Sequence, residues 1–332
     1  MTGKTIVYLP NWLGDMVMAT PFLRSLRASL DGELWGIGKG SAIHIYNGLG
    51  LFDRFIVLDN KKGFISFLDT VSILRGLNFK RGIVLPHSFR STLLFYAAHI
   101  KERIGYGRNK RGFMLTHHID EETTPEPTVE HYLKIIDTLG GKRFLDAPLL
   151  FATEDEEQKF DKKFTDIQKP YMAFIVGAQY GPSKCWPDYY FSQLADMIVK
   201  DHDAKIYILP GRGEEGLANK IYEGITNKAH IEVKSMDIKD LKVCLSRASI
   251  VVSNDTGPRH ISAALSVPTI VLLGPMDQRY THYPSPYVYQ ILKDVPCRPC
   301  NKKKCDRGHE CLKNITPKDV LEKVEGILES KR

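Results

Sequence analysis

Four turns in the chain gather residue types that could do chemistry together, and each follows a short apolar run. The first reads Pro10-Asn11-Trp12-Leu13-Gly14-Asp15. Gly14 permits a tight turn, and Asp15 falls at or near the start of a helix. There it would serve either as a helix cap, satisfying a free backbone N–H, or as a general base. The second turn, residues 176–187, carries Gly177, Gly181 and Lys184. Glycines that bare backbone N–H groups, followed by one lysine just before a helix, suit a phosphate; the plainer alternative is a glycine turn with a solvated lysine. The third is Leu209-Pro210-Gly211-Arg212-Gly213-Glu214-Glu215. An acidic side chain here would accept hydrogen bonds from a ribose, or would merely favour the amino end of a helix dipole.

The fourth turn, Ser253-Asn254-Asp255-Thr256-Gly257-Pro258-Arg259-His260, is the most suggestive. Free N–H groups of Thr256 and Gly257, the Thr256 hydroxyl and the helix dipole would together face a diphosphate. His260 lies about one helical turn in and would add a donor or stand as a buried structural histidine. Two familiar nucleotide patterns fail. Gly3-Lys4-Thr5 imitates the end of a P-loop but lacks a preceding strand, and Gly36 and Gly38 begin a dinucleotide fingerprint in which Ser41 replaces the third glycine. Near the end, Cys297, Cys300, Cys305 and Cys311 with His309 have the spacing of a small metal knuckle. A structural Zn or Fe site is one reading, and reduced thiols or a disulfide are the others.

The elements that must carry these turns follow from length and pattern. At roughly 150 residues per domain, 332 residues make two domains. Short β-branched apolar runs alternate with stretches of helical period, the signature of parallel sheets covered by helices. Strands are expected at 5–9, 34–37, 54–58 and 82–85, then at 171–176, 205–209, 250–253 and 269–273. Helices are expected near 21–30, 64–77, 129–139, 189–200, 214–225 and 258–265. Thr316 followed by Pro317 starts a last helix running to about residue 328. An acidic, proline-bearing break at 121–127 precedes the third of these helices, and residues 140–170 read as the interdomain connection.

Composition is that of an ordinary globular protein, 43% hydrophobic and 26% charged, which excludes a fibre or a disordered tail. The amino-terminal apolar stretch is too short for a signal peptide, and the longest uncharged stretch, 261–276, is too short to span a bilayer. A soluble cytoplasmic protein is the expectation, with basic surface able to hold it against an anionic leaflet. That basic surface is uneven. Residues 1–111 hold 16 Lys and Arg against 7 Asp and Glu, an excess of nine, in a chain whose net charge is +7. An anionic partner would dock on the first third.

Taken together, these turns resemble those of the ADP-heptose:lipopolysaccharide heptosyltransferases, glycosyltransferase family nine, and their heptosyltransferase II branch in particular. Residues 11–21 are similar to the family's Trp-Leu-Gly-Asp motif, and Leu85-Pro86-His87-Ser88-Phe89-Arg90-Ser91 to its Leu-Pro-Asn-Ser segment. Residues 177–187 and 254–265 resemble its two later motifs, so the likeness runs along nearly the whole chain. It implies an α/β GT-B fold, two Rossmann-like doubly wound domains facing a cleft. Residues 1–150 would bind the acceptor, 151–315 the ADP-sugar, and 316–332 would form a C-terminal helix.

The same resemblance implies an inverting transfer of heptose from ADP-heptose to the inner-core heptose of Kdo-lipid A, with no catalytic metal. Asp15 would deprotonate the acceptor hydroxyl. Lys184, Thr256 and Gly257 would hold the diphosphate, Glu214 or Glu215 the ribose, and Asp255 and His260 the donor turn. Ser88, Arg90, Arg108, Lys110 and Arg111 are then candidate contacts to the carboxylates and phosphates of the acceptor, at the inner face of the inner membrane. Arg259 and His87 depart from the family pattern, which commonly has a hydrophobic residue and Asn there. Three other readings compete. A glycosyltransferase acting on another core sugar or on a protein hydroxyl would keep the same turns. A nicotinamide-dependent oxidoreductase lacks a complete glycine fingerprint after a strand. A nucleic-acid-binding protein would rest on the Lys302-Lys303-Lys304 run and leave two α/β domains unexplained, so no nucleic acid is expected.

Overall fold

Two six-stranded sheets, every pairing parallel, organise the chain. The computed structural model describes residues 1–58, 63–120, 124–144, 146–202 and 204–330. Part of the expected acidic break, 121–123, lies outside the described residues, as do 331–332 of the C-terminal segment. The first sheet uses β1 (Thr5–Tyr8), β2 (Leu34–Gly38), β3 (Arg54–Val57), β4 (Arg81–Val84), β5 (Glu102–Tyr106) and β6 (His117–Ile119). The second uses β7 (Tyr171–Ile175), β8 (Lys205–Ile208), β9 (Ile231–Val233), β10 (Ile250–Asn254), β11 (Thr269–Leu273) and β12 (Val288–Leu292).

Strand order in the first sheet is β3-β2-β1-β4-β5-β6, and in the second β12-β11-β10-β7-β8-β9. Counted from the first strand of each, both are the 3-2-1-4-5-6 order of a doubly wound dinucleotide-type fold. β2, β7, β10 and β11 are buried along their whole length, as expected of strands covered on both faces by helices. Of the four strands missed from the sequence, β6, β9 and β12 are edge strands and β5 lies next to an edge.

The chain divides into two compact units. One is Met1–Leu150 with Arg279–Tyr283, the other Phe151–Gln278 with Pro284–Arg332. Within the first unit the excursion is tied down by the Thr128 hydroxyl, which donates to the Tyr280 carbonyl at 2.8 Å. The first core packs Ile6, Trp35, Val84 and Phe95, and the second Phe174, Trp186, Ile208, Val252 and Leu272. The C-terminal helix, Pro317–Glu329, belongs to the second unit, where it packs on the helix Asp188–His202. One expectation needs correcting: the segment 140–170 is not connection throughout. Its charge run opens a helix, Glu154–Lys163, which Thr153 and Glu156 start with reciprocal hydrogen bonds between side chain and backbone.

Candidate active site

In a sheet of this order ligands bind beyond the carboxyl ends of the two strands where the winding reverses. Those strands are β1 and β4 in the first unit and β7 and β10 in the second. The turns after these four strands are the ones that carry Asp15, His87 and Ser88, Lys184, and Asp255 to Gly257.

In the first unit, β1 runs through Leu9 to Trp12 into the short helix Leu13–Met18. The cap position is Trp12, whose side chain makes no capping bond, so Asp15 is not the cap that its type suggested. Half-buried in the first turn, it gains from the helix dipole. Burial and then the Asp15 charge push the Tyr46 hydroxyl up, and both also act on Tyr132. The carboxylate thus stands within electrostatic reach of two buried phenols.

The turn after β4 is held from beneath. Arg111 is fully buried. Its Nε donates to the Tyr106 carbonyl at 2.8 Å, and Nη1 donates to the carbonyls of Pro86 and of Ser88, the latter at 3.3 Å. This corrects the expectation of a direct contact to the acceptor, because the side chain is wholly buried and its Nε and Nη1 bond the chain's own carbonyls and the Thr92 hydroxyl. Ser88 is exposed and caps the helix Phe89–Ala97 by accepting from the Ser91 N–H at 3.3 Å. Arg90 is exposed, lies over the Phe67 ring and donates to the Gly63 carbonyl at 3.1 Å. Arg108 and Lys110 lie in the turn that leads to Arg111, Lys110 at a positive φ of 57°. His87 packs near Tyr106 and near His131, which stacks on the Tyr106 ring at 3.5 Å. Burial, then the charges of His131, Arg111 and Arg108, lower the His87 pKa to about 4.

The second unit gathers most of the remaining candidates. Lys184 closes the turn after β7, and its ammonium donates at 2.9 Å to both the Asp255 carbonyl and the Asp255 carboxylate. The other carboxylate oxygen accepts from Arg259 Nε at 2.8 Å. Burial opposes ionisation of Asp255, but Arg259 and Lys184 prevail and hold it well below the usual carboxylate range. An ammonium has three N–H donors, and these contacts leave one for a ligand. Thr256 and Gly257 follow, half-buried, at the amino end of the helix Gly257–Ala264. His260, on that helix, is fully enclosed. Burial, then Arg259, depresses its pKa strongly, so it is neutral.

Of the two glutamates between which the sequence left the register open, Glu214 is half-buried, whereas Glu215 is exposed. For Glu214, the contacts run inward. Its carboxylate accepts from the Gly211 N–H at 2.8 Å and reaches across to Gly177, where a Cβ would stand 1.8 Å from it. Burial pushes the Glu214 carboxyl up, while the Gly211 N–H opposes the shift.

Several supporting residues escaped the sequence. Asn254 accepts from the Trp186 N–H at 2.9 Å and donates to the Val176 carbonyl at 2.6 Å, so it ties the turn after β7 to β10. The Tyr180 ring lies under the ammonium groups of both Lys184 and Lys303. The cysteine segment, far from this turn in sequence, is its clamp. Tyr180 and Ser183 hydroxyls donate to the Asn301 and Lys302 carbonyls, and the Ser183 N–H to the Lys303 carbonyl. His309 is committed as well, donating from Nε2 to the Ser183 carbonyl at 2.7 Å. All four clustered cysteines are free thiols. Burial, followed by the charges of Cys297, Cys305 and Cys300, pushes the Cys311 thiol up, so the group is close enough to interact. Among the described residues no three His, Cys, Asp or Glu side chains are arranged to hold a metal ion. The arrangement of the described side chains thus gives the metal-knuckle reading no support.

The model of glycosyltransferase family 9 (heptosyltransferase) matches residues 70–310. The chain belongs to that family. It is 27% identical over 343 residues to lipooligosaccharide heptosyltransferase 2 of Campylobacter jejuni, covering 98% of this chain and 99% of the relative. Lipopolysaccharide heptosyltransferase 2 of Escherichia coli K12 is 25% identical, with 98% of each covered. In fold the chain resembles E. coli ADP-heptose lps heptosyltransferase II, with a TM-score of 0.85, 22% identity and 99% of each chain covered. The α/β, GT-B reading and the glycosyltransferase class both stand. No described helix of this family 9 enzyme is long and apolar enough to cross a membrane.

Proposed function

We propose that this glycosyltransferase moves heptose from ADP-heptose to the inner-core heptose of Kdo-lipid A, a step of lipopolysaccharide core assembly. The observation that carries the donor side is the Lys184 ammonium, fixed at 2.9 Å on Asp255 beside the start of the helix Gly257–Ala264. Residues 1–150 take the acceptor, 151–315 the ADP-sugar, and the helix within 316–332 braces the second unit. The chain works on the cytoplasmic side, peripheral to the inner membrane.

In one inverting displacement the acceptor hydroxyl oxygen attacks the anomeric carbon as the bond from that carbon to the diphosphate oxygen breaks. Asp15 takes the hydroxyl proton, as a general base worth about 10²–10⁴-fold. Negative charge then grows on departing ADP, where the third Lys184 N–H and the N–H groups of Thr256 and Gly257 meet it. Donors already oriented toward developing charge need little reorganisation, and no metal is called for in this scheme. Glu214 accepts from the ribose hydroxyls. Ser88 and Arg90 meet the acceptor, and Arg111 shapes the turn that presents them.

The test is incubation with ADP-heptose and heptosylated Kdo2-lipid A, read by mass spectrometry, beside a folded Asp15→Ala variant. A product heavier by one heptose from the wild type and not from the variant is expected. An active variant overturns the proposed base, and absence of product from the wild type overturns the acceptor.

A further inference from the structure

Two neighbouring helices of the first unit leave in water apolar side chains that its core does not use. The helix Phe64–Leu77 packs Val71 and Leu74 inward, yet Phe64 is 73% exposed and Ile65 76%, with Leu68 also exposed. On the helix Phe89–Ala97, which packs against it, Phe89 and Tyr96 are exposed. Phe113, 72% exposed, lies edge-on to Tyr96 with ring centroids 6.5 Å apart. Single exposed apolar residues are ordinary, but six on adjoining elements form a patch of the kind that marks an interaction surface.

Guanidinium groups border this patch. Arg90 lies 5.0 Å from the Phe67 centroid, Arg103 lies 5.4 Å from that of Tyr96, and Arg75 joins the two helices by donating to the Ala97 carbonyl at 2.9 Å. The surrounding first 111 residues carry an excess of nine positive charges. Apolar tips ringed by cations are what an interface of anionic lipid selects: the tips enter the headgroup boundary and the cations meet the negative leaflet. A second copy of the chain would bring the same cations face to face, and charge opposes that pairing.

We propose that Phe64, Ile65 and Leu68, with Phe89, Tyr96 and Phe113 beside them, seat the first unit on an anionic phospholipid bilayer. The proposal rests on the reading above that the acceptor is lipid-anchored, and it names the surface that brings the unit to that lipid.

Flotation of the full chain with phosphatidylcholine vesicles, with and without phosphatidylglycerol, tests it. The wild type should bind the phosphatidylglycerol vesicles alone, and less well as salt rises. A Phe64→Ser, Ile65→Ser double variant should lose about tenfold or more in partitioning, since it removes two large apolar side chains from the interface. Its melting temperature should hold, and so should its turnover of a deacylated, water-soluble acceptor; turnover of vesicle-embedded acceptor should fall. Tyr189→Ser, an exposed aromatic in the second unit, is the control that should bind as before. Equal binding of wild type and double variant overturns the proposal, as does wild-type indifference to lipid charge. A wild-type dimer that the double variant breaks also overturns it, by showing that the patch pairs copies. Wild type that binds vesicles but transfers to neither acceptor leaves the docking surface standing and removes the transfer reading.

Discussion

The Lys184 ammonium and the Asp255 carboxylate are 2.9 Å apart, with 12% and 3% of their side-chain surface exposed, and Arg259 closes the opposite carboxylate edge. The aspartate therefore acts as a fixed anchor for the lysine. Lys184→Ala should lower kcat by about 10²–10³-fold, the usual loss when one donor to a developing oxyanion is removed. Asp255→Ala should cost about 3–5 kcal/mol of stability, because it strands the wholly buried Arg259. Thermal melts and steady-state kinetics on the two variants separate these roles. Equal melting losses with equal kinetic losses would contradict the anchor assignment.

Gly177 is a glycine because the Glu214 carboxyl occupies the space of a Cβ, 1.8 Å away. Gly177→Ala should swing Glu214 aside and raise the ADP-heptose KM about tenfold, equivalent to about 1.4 kcal/mol. The acceptor KM should not move. Isothermal titration with ADP gives an independent reading, and unchanged ADP affinity would remove Glu214 from the donor site.

Arg90 and Arg111 lie in or near one loop but should fail differently. Arg90 is exposed, so Arg90→Ala should raise the acceptor KM several-fold with the melting temperature and donor KM unchanged. Arg111 bonds carbonyls from inside, and Arg111→Met leaves those carbonyls unsatisfied, at about 3 kcal/mol of stability. A melting curve distinguishes the two, and an Arg111→Met protein as stable as the wild type would reopen direct contact with the acceptor.

His87 gives the fold an acid sensitivity of known sign. An unfolded histidine titrates near 6.5, whereas burial and its cationic neighbours hold His87 near 4 in the fold. Below pH 6.5 the unfolded chain therefore takes up a proton that the native chain refuses. Stability should fall as the pH drops from 6.5 toward 4 and be unaffected by this group above 6.5. His260 acts in the same direction, so the informative quantity is a difference: His87→Asn should lose fewer degrees of melting temperature than the wild type between about pH 7 and pH 5.

Legibility in the sequence followed burial and locality. Central strands such as Tyr171–Ile175 and Thr269–Leu273 are unbroken apolar runs and could be read directly. The strand Glu102–Tyr106 is mostly buried but opens on two charged residues, and His117–Ile119 is largely exposed and carries two histidines, so no apolar run betrays either. The helix Glu154–Lys163 hid for a related reason. Phe160 is its sole apolar residue, and only Thr153 with Glu156 marked its start. The motif turns were legible because each is a local event after a strand. What holds them was not, since the bonds from Asn254 to Val176 and from Arg111 to Pro86 join positions 78 and 25 residues apart. Arg111 was misplaced on the surface because an arginine in a basic stretch gives no sign that backbone carbonyls enclose it.

The Lys184 turn is bonded to residues made long after it. Ser183 meets Lys302, 119 residues on, and the Trp186 indole N–H meets the Ile315 carbonyl, 129 residues on. On the ribosome the lysine emerges well before any of its clamps exist. A polypeptide halted before Asn301 would carry Lys184 without the carbonyls of Asn301 and Lys302 that bond its turn. If Lys184 holds the donor as proposed, such a fragment should bind ADP more weakly than the full chain.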